Sequence, residues 1–155
     1  MKITSMFFGL LVGLVFFILL PYLFVQLNSY FLLPVYSHYL LKVLGMIFLF
    51  IGAGLFLYCS RLFLIFGRGT PVPVEPPKKL VVSGLYKYTR NPIYIGYFMI
   101  FLGEFLFFGQ FLLLIYFFLT IVKINLYVIY YEEPILKKRF GKNYQEYLKK
   151  IPRWI

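Results

Sequence analysis

The feature that most constrains this chain is a series of four long apolar stretches with very few charges inside them. They run from Met6 to Gln26, Val43 to Phe66, Ile93 to Phe108 and Phe111 to Tyr130. A helix needs about 20 apolar residues to cross a bilayer, and helices satisfy every backbone polar group there. We therefore predict an all-α, polytopic membrane helix bundle with about four transmembrane helices.

Composition supports a membrane protein and narrows its possible partners. Hydrophobic residues make up 62% of the 155 residues and charged residues 14%, whereas a soluble domain is close to half apolar and a quarter charged. The net charge is +11, but no nucleic-acid-binding motif accompanies it. Cys59 and His38 are each the only residue of their type and have no companions at metal-ligand spacing. We expect membrane lipids as partners, and neither nucleic acid nor a metal.

The basic residues predict an orientation. Of the 16 Lys and Arg residues, six lie between Arg61 and Arg90 and seven between Lys137 and Arg153, while only Lys42 flanks the loop between the first two spans. Cytoplasmic loops are enriched in such residues. We predict four spans in the cell membrane, with both termini and the central basic segment cytoplasmic. The first span is long for a signal peptide and lacks a small-residue cleavage site, so we expect it to be retained.

Local composition divides the chain into an anchor and a core. Residues 1–66 supply two anchoring spans, and residues 67–155 form the core of one domain covering 1–155. Within the core, Pro71, Pro73, Pro76 and Pro77 predict an extended, polyproline-like strap between Gly67 and Arg90.

The second half of the core is predicted to be a helical hairpin followed by a tail. Gly109-Gln110 is the only break between the third and fourth apolar stretches. From Glu132 onward, aromatic and apolar residues recur at near-helical spacing among many Lys and Arg residues. This pattern predicts a cytoplasmic amphipathic helix on the membrane surface, with Trp154 as an interfacial anchor.

Two polar blocks flank this hairpin, at Leu80 to Gly96 and Tyr131 to Tyr147. A hairpin returns the chain to the side of the membrane that it left, so Asn91 and Glu132 are expected at one surface. A helix that begins near Pro92 presents free backbone N–H groups that attract carboxylates and phosphates. Arg90 would add positive charge there; alternatively, Arg90 and the neighbouring tyrosines only lie among the lipid headgroups.

Other polar residues within the hairpin and at its end suggest further contacts. Glu132 and Glu133 are costly at the end of a membrane helix unless they have a purpose: they hold a cationic ligand or pair with the basic tail. Asn125 lies two turns before Glu132 on the same helix face. Glu104 is near the turn, where it would reach interfacial water, and Lys123 either snorkels or contributes to the site.

At these residues the sequence resembles the isoprenylcysteine carboxyl methyltransferase family, and more distantly the phospholipid N-methyltransferases. The resemblance rests on LVVSGLYKYTRNPIYIG, then on EEPILKKRFGKNYQEYLKKIPRW after the hairpin. The family pattern is Gly-x-Tyr, Arg-His/Asn-Pro-x-Tyr-x-Gly, a hydrophobic hairpin, Glu-Glu, Phe-Gly-x-x-Tyr and Val/Ile-Pro-Arg. The resemblance covers roughly Gly67 to Ile155.

The resemblance implies an integral-membrane methyltransferase that uses S-adenosyl-L-methionine without a Rossmann domain, in a cytoplasm-facing pocket closed by the C-terminal segment. Arg90 and Glu133 are the catalytic candidates, and Asn125 and Lys123 the substrate candidates. The cofactor-binding candidates that the resemblance implies are Lys78, Lys79, Leu80, Val81, Tyr86, Asn91, Pro92, Ile93, Tyr94 and Glu132.

The resemblance leaves the acceptor open. Asn91 replaces the histidine found in other members, and Val128 stands where eukaryotic members carry an arginine thought to meet the substrate carboxylate. We expect a lipophilic acceptor, with carboxyl O-methylation of an isoprenylcysteine-like group first. The alternatives are a phospholipid amine N-methyltransferase, a small-thiol S-methyltransferase and a non-enzymatic membrane protein.

Overall fold

The computed structural model describes residues 3–67, 69 and 77–155, with side chains from residue 7 onward, and its regular elements there are helices. The first long helix consists of α1 (Ile3–Leu14), a π-helical turn (Val15–Leu19) and α2 (Leu20–Tyr30). The second consists of α3 (Tyr39–Leu62) and a π-helical turn (Phe63–Gly67). A 3-10 turn (Gly84–Lys87) precedes α4 (Pro92–Phe108). The last is α5 (Phe111–Tyr127), a π-helical turn (Val128–Glu132) and α6 (Glu133–Lys150).

These helices confirm the predicted all-α membrane bundle. The helical stretches Phe7–Tyr30, Tyr39–Gly67 and Phe111–Lys150 are long and apolar enough to cross a membrane, and α4 is a shorter apolar helix. The first helix continues to Tyr30 rather than ending at Gln26. The fourth apolar stretch runs into the tail helix without a break, and the polar part begins after Tyr130.

Glycines bring the backbones of α3 and α4 into direct contact. A Cβ atom on Gly52 would lie 2.7 Å from the Gly96 carbonyl oxygen, and one on Gly45 would lie 2.8 Å from the Gly103 carbonyl oxygen. Both distances are below any real carbon–oxygen contact, so only glycine permits this spacing. The pairing is antiparallel, and it places the C-terminal turns of α3 beside the N-terminal turn of α4.

The turn of the hairpin is fixed at the opposite end of the bundle. Gly109 has a φ of 71°, and a Cβ atom there would clash with the Tyr36 carbonyl oxygen. The Tyr36 N–H donates to the Gly109 carbonyl at 2.7 Å. Fully buried Asn28 accepts from the Leu112 N–H at 2.9 Å. The break predicted at Gly109-Gln110 is therefore confirmed.

Three further expectations from the sequence concern the proline-rich strap, Glu104 and Lys123. The polyproline-like strap falls mostly on residues 70–76, which lie outside the described residues. Glu104 was expected to reach interfacial water, but it is 6% exposed because its face of α4 packs inside the bundle. Lys123 is exposed, and its Nζ atom lies 5.7 Å from the centre of the Phe16 ring.

Candidate functional site

The hairpin brings the two polar blocks into contact. The Tyr94 hydroxyl donates a 2.8 Å hydrogen bond to Glu132 Oε2, across 38 residues of sequence. Tyr94 lies in the first turn of α4, and Glu132 closes the π-helical turn after α5. π-Helical turns recur at functional sites because the extra residue changes which side chains face inward. The predicted meeting of these blocks at one end of the bundle is therefore present in the structure.

A small cavity lies beside this contact. Its volume is about 40 Å³, which is close to the space of one water molecule. Its walls come from the segment before α4, the end of α5 and α6. The lining residues are Leu80, Val81, Tyr86, Arg90, Asn91, Val128, Glu132, Glu133, Leu136, Tyr144 and Tyr147.

Glu133 forms the centre of an ion cluster at this cavity. Its Oε1 atom accepts from Arg90 Nη1 at 2.9 Å and from Arg153 Nε at 2.8 Å, and its Oε2 atom accepts from Arg153 Nη2 at 3.1 Å. The two contacts from Arg153 form a bidentate fork. Burial alone would raise the pKa of Glu133, but the Arg153 hydrogen bond and the charges of Arg90 and Arg153 hold that pKa below its ordinary value.

The C-terminal tail binds the block before α4 through its backbone. The Pro152 carbonyl accepts from the Arg90 N–H at 3.0 Å. The Arg153 carbonyl accepts from the Thr89 hydroxyl at 3.1 Å and from the Asn91 amide at 3.0 Å. The tail thus occupies donors on three consecutive residues, of which Arg90 and Asn91 line the cavity.

The start of α4 differs from the prediction of free backbone donors. The Asn91 carbonyl accepts from the N–H groups of Tyr94 and Ile95, at 3.1 and 3.3 Å. The Asn91 side chain does not cap the helix, because its amide is directed to the tail. The Asn91 amide and the Arg90 N–H both donate to tail carbonyls, so they become available to a ligand only when the tail moves away.

Two buried polar atoms in the cavity walls have no hydrogen-bond partner among the described residues: the Tyr86 hydroxyl and Arg90 Nε. Burial, followed by the nearby Cys59 and Glu132, raises the pKa of Tyr86, so its hydroxyl stays protonated and can donate. A buried donor without a partner is costly, and such atoms in a native structure call for an explanation. Both residues line the cavity, and the Tyr86 hydroxyl also lies close to the Cys59 thiol.

The predicted site residues fall into two groups. Leu80, Val81, Tyr86, Arg90, Asn91, Glu132 and Glu133 line the cavity, and Tyr94 joins them through Glu132. The others lie elsewhere: Lys78, Lys79 and Lys123 are exposed, while Pro92 and Ile93 are buried at the start of α4.

Asn125 accepts from the Trp154 indole at 3.0 Å, next to Phe98, whose ring centre is 5.7 Å from the indole. Trp154 is therefore a tail contact rather than a free interfacial anchor. The residues that the sequence did not assign to the site are Thr89, Leu136, Tyr144, Tyr147 and Arg153. The near-helical spacing of Tyr144 and Tyr147 on the apolar face of the amphipathic tail could have indicated that they are buried. The Tyr147 hydroxyl donates to the Tyr86 carbonyl at 2.7 Å.

Comparisons with known proteins give one family and one curated relative. Residues 40–143, more than half of the chain, match the family described as phospholipid methyltransferase. A stretch of 76 residues is 38% identical to the protein-S-isoprenylcysteine O-methyltransferase of Schizosaccharomyces pombe, covering 49% of this chain and 32% of that protein. The chain thus spans about a third of the length of the curated relative it matches. No solved structure matches the chain.

Proposed function

Because this chain belongs to the phospholipid methyltransferase family, we propose that it is a membrane methyltransferase that takes a methyl group from S-adenosyl-L-methionine. The acceptor is a lipophilic molecule, and carboxyl O-methylation of an isoprenylcysteine-like group is the first candidate. The observation that carries the proposal is the Tyr94–Glu132 contact at a cavity lined by polar groups.

The residues around the cavity fit the cofactor chemically. The Glu132 carboxylate suits an ammonium or ribose hydroxyl group, and the Asn91 amide and Arg90 N–H suit a carboxylate. Tyrosine rings such as those of Tyr86 and Tyr94 attract a sulfonium cation. The cavity of about 40 Å³ is far smaller than such a cofactor, so the tail, whose Pro152 and Arg153 carbonyls accept from this segment, must lift to admit it.

When bound, the cofactor supplies a methyl group already activated on a sulfonium. The protein then contributes alignment and removal of water from the nucleophile. Glu132, the Asn91 amide and the Arg90 N–H would hold the cofactor, and transfer of its methyl group to a carboxylate acceptor would need no proton to be removed. This suits a site whose Glu133 is held ionised by two guanidinium groups and is a poor base. Arg90 and Glu133 accordingly position the site rather than transfer protons.

A second candidate is methylation of a phospholipid amine. The description of the matching family favours it, and a protonated amine would need a base to lose its proton. Glu132, which accepts only the Tyr94 hydroxyl among its described contacts, is the residue placed for that task. Labelled cofactor offered with lipophilic acids, thiols and amines separates the candidates: methylation of amines alone would overturn carboxyl methylation.

The cofactor site is tested by calorimetric binding of S-adenosylhomocysteine to the purified protein in detergent. We expect Glu132→Ala and Tyr94→Ala to weaken binding by about tenfold or more, the worth of roughly one charged hydrogen bond. Glu146→Ala, an exposed change on α6, is the matched control. Equal binding in all four proteins would refute the site, and no binding in any would refute the cofactor.

Orientation follows from the basic residues: the cavity, both termini and α6 face the cytoplasm. A Lys149→Cys variant tests this, because Lys149 is exposed and the native Cys59 is buried. An impermeant maleimide should label Lys149→Cys in opened cells and leave it unlabelled in intact cells. Labelling in intact cells would reverse the orientation.

A further inference from the structure

The last helix, α6, has a strongly basic outer face, which consists of Lys137, Lys138, Arg139, Lys142, Lys149 and Lys150. All six side chains are exposed, whereas Glu146 is the only exposed acidic residue of α6. Glu133, its other acidic residue, is buried and already balanced by Arg90 and Arg153. Among the described residues, none of the six exposed cations forms an ion pair. Their counter-charge therefore has to come from outside the described part of the chain.

The opposite face of α6 is occupied by the protein itself. Tyr144 and Tyr147 are 2% and 8% exposed, and the Tyr147 hydroxyl donates to the Tyr86 carbonyl at 2.7 Å. An amphipathic helix bound to a membrane surface normally buries its apolar face among the acyl chains, but in α6 that face is already used. An external partner therefore meets the basic face alone, so charge rather than insertion has to supply the binding.

Both ends of α6 are held at the membrane. Its first turn follows α5 in one continuous helical stretch, Phe111–Lys150. Beyond its last turn, the Trp154 indole donates to Asn125 at 3.0 Å and its ring packs on Phe98. Asn125 precedes Glu132 by seven residues, which places it about 10 Å deeper in the bilayer along the helix. The six cations lie between these two points of attachment, so they are held near the lipid headgroups.

The spacing of the cations fits a surface that carries many charges. Lys137 and Lys150 are separated by up to about 20 Å of helix, with a bend at Gly141 between them. A single phosphate ion cannot contact side chains over that distance, whereas phospholipid headgroups repeat along a membrane surface. Each Lys or Arg residue close to an anionic surface strengthens binding by about fivefold. Anionic headgroups are therefore the counter-charge that matches the position and the layout of these residues.

We propose that the outer face of α6 is a docking surface for the anionic phospholipid headgroups of the membrane that this chain spans. Lys149 and Lys150 directly precede the tail, whose Pro152 and Arg153 carbonyls accept from the block before α4. A tail that lifts has to pull these two cations away from the phosphates. Anionic headgroups therefore stabilise the closed tail, and this regulatory half of the inference rests on the proposed methyltransferase function.

Tryptophan quenching measures docking without any cofactor. Trp154 is the only tryptophan and lies shortly after Lys150, and acyl-brominated lipids quench tryptophan on contact. The full-length protein is reconstituted in phosphatidylcholine bilayers with a minor share of brominated phosphatidylglycerol or of brominated phosphatidylcholine. The two quenching curves give the preference of the protein for the anionic lipid.

Two double variants remove the same charge from different places. Lys142→Gln with Lys149→Gln changes the outer face, because these residues are two helical turns apart on one side of α6. Arg61→Gln with Lys87→Gln is the control, because both residues are exposed, basic and outside α6. We expect the wild type and the control to prefer phosphatidylglycerol by about fivefold, and the α6 variant by less than about twofold.

Three results would overturn the docking surface. The first is equal quenching by both lipids in the wild type. The second is an equal loss of preference in both double variants, because this would show a general effect of net charge. The third is binding of an RNA oligonucleotide in phosphatidylcholine bilayers without a preference for phosphatidylglycerol, which would assign the basic face to a soluble polyanion.

Release of labelled S-adenosylhomocysteine, chased with unlabelled ligand, tests the effect on the tail. Release from the wild type and from the control should be about fivefold slower in bilayers with phosphatidylglycerol than in phosphatidylcholine alone, and the α6 variant should show no difference. Equal release of the wild type in both bilayers would overturn the regulation by lipid. If no protein binds S-adenosylhomocysteine, the proposed function fails, and the quenching result still decides whether the headgroups dock.

Discussion

At the residue scale, the adjacent carboxylates Glu132 and Glu133 have opposite surroundings. Glu133 accepts from the guanidinium groups of Arg90 and Arg153, while Glu132 accepts from the neutral Tyr94 hydroxyl. A carboxylate that already balances two cations has little left to offer a cationic ligand, and its neighbour keeps that capacity. Glu133 therefore holds the tail through Arg153, and we propose that Glu132 is the carboxylate left to contact the ligand.

The change Glu133→Gln tests whether Glu133 holds the tail in place. It leaves Arg90 and Arg153 without their common anion, and removing one partner of a buried ion pair typically costs about 3–5 kcal/mol. Because Arg153 is 31% exposed, we expect a smaller loss of about 2 kcal/mol. A lower Tm in detergent checks this, with exposed Glu146→Gln as control. The same Tm for both variants would contradict the account.

The lowered pKa of Glu133 also predicts how tail binding depends on pH. A carboxyl with a lowered folded pKa stabilises the fold fully above its ordinary pKa of 4.5 and loses that contribution as the pH falls through the lower value. Trp154 is the only tryptophan and packs on Phe98, so its fluorescence reports tail docking. We expect constant fluorescence from about pH 7 to 5 and a change only in stronger acid. A transition near neutrality would argue against the ion cluster.

At the element scale, the contact of α3 with α4 determines where the site can form. The glycine pair Gly52 and Gly96 brings these helices together, so that Cys59 and Leu62 pack in one cluster with Tyr86 and Ile93. The support under the candidate site therefore depends on this spacing.

Gly52→Val and Gly54→Val form a matched pair that tests this contact. A Cβ atom at Gly52 meets the Gly96 carbonyl oxygen at 2.7 Å, whereas one at Gly54 meets nothing within 4 Å. We expect Gly52→Val to cost about 1–3 kcal/mol through overpacking and to weaken binding of S-adenosylhomocysteine. Gly54→Val should change neither. Equal Tm values for the two variants would be incompatible with the helix spacing described.

The elements that the sequence could predict are those with local signals. Pro92 marks the start of α4, and Gly109 marks the turn of the hairpin, because each residue has a backbone preference of its own. The burial of Glu104 had no such signal: nearly every residue of α4 is apolar, so periodicity cannot indicate which face packs inward.

At the scale of the whole molecule, the tail returns to the cavity by contacts that span more than 60 residues. The Thr89 and Asn91 side chains bind the Arg153 carbonyl, and the bend at Gly141, with a φ of 53°, redirects α6. Such long-range pairings cannot be derived from residue spacing, and Arg153 and Thr89 were accordingly missing from the predicted site. The contact of Tyr94 with Glu132 could be predicted from the sequence, because a hairpin must return to the side of the membrane where it started.

Opening of the tail is expected to control entry of the cofactor. Asn125→Ala removes the acceptor of the Trp154 indole N–H, so the tail should detach more often. Stopped-flow Trp154 fluorescence should then show S-adenosylhomocysteine binding and leaving several-fold faster. Asn143→Ala, at an exposed position on α6, should match the wild type. Unchanged rates in Asn125→Ala would mean that the tail does not limit entry.

The central claim is that the hairpin joins two sequence blocks into one binding site, and a double-mutant cycle tests it most directly. Binding of S-adenosylhomocysteine is measured for the wild type, Tyr94→Phe, Glu132→Gln and the double variant. Because the Tyr94 hydroxyl donates to Glu132, we expect a coupling energy of about 1 kcal/mol, typical of groups in direct contact. Strictly additive losses, or no loss in either single variant, would contradict a shared site.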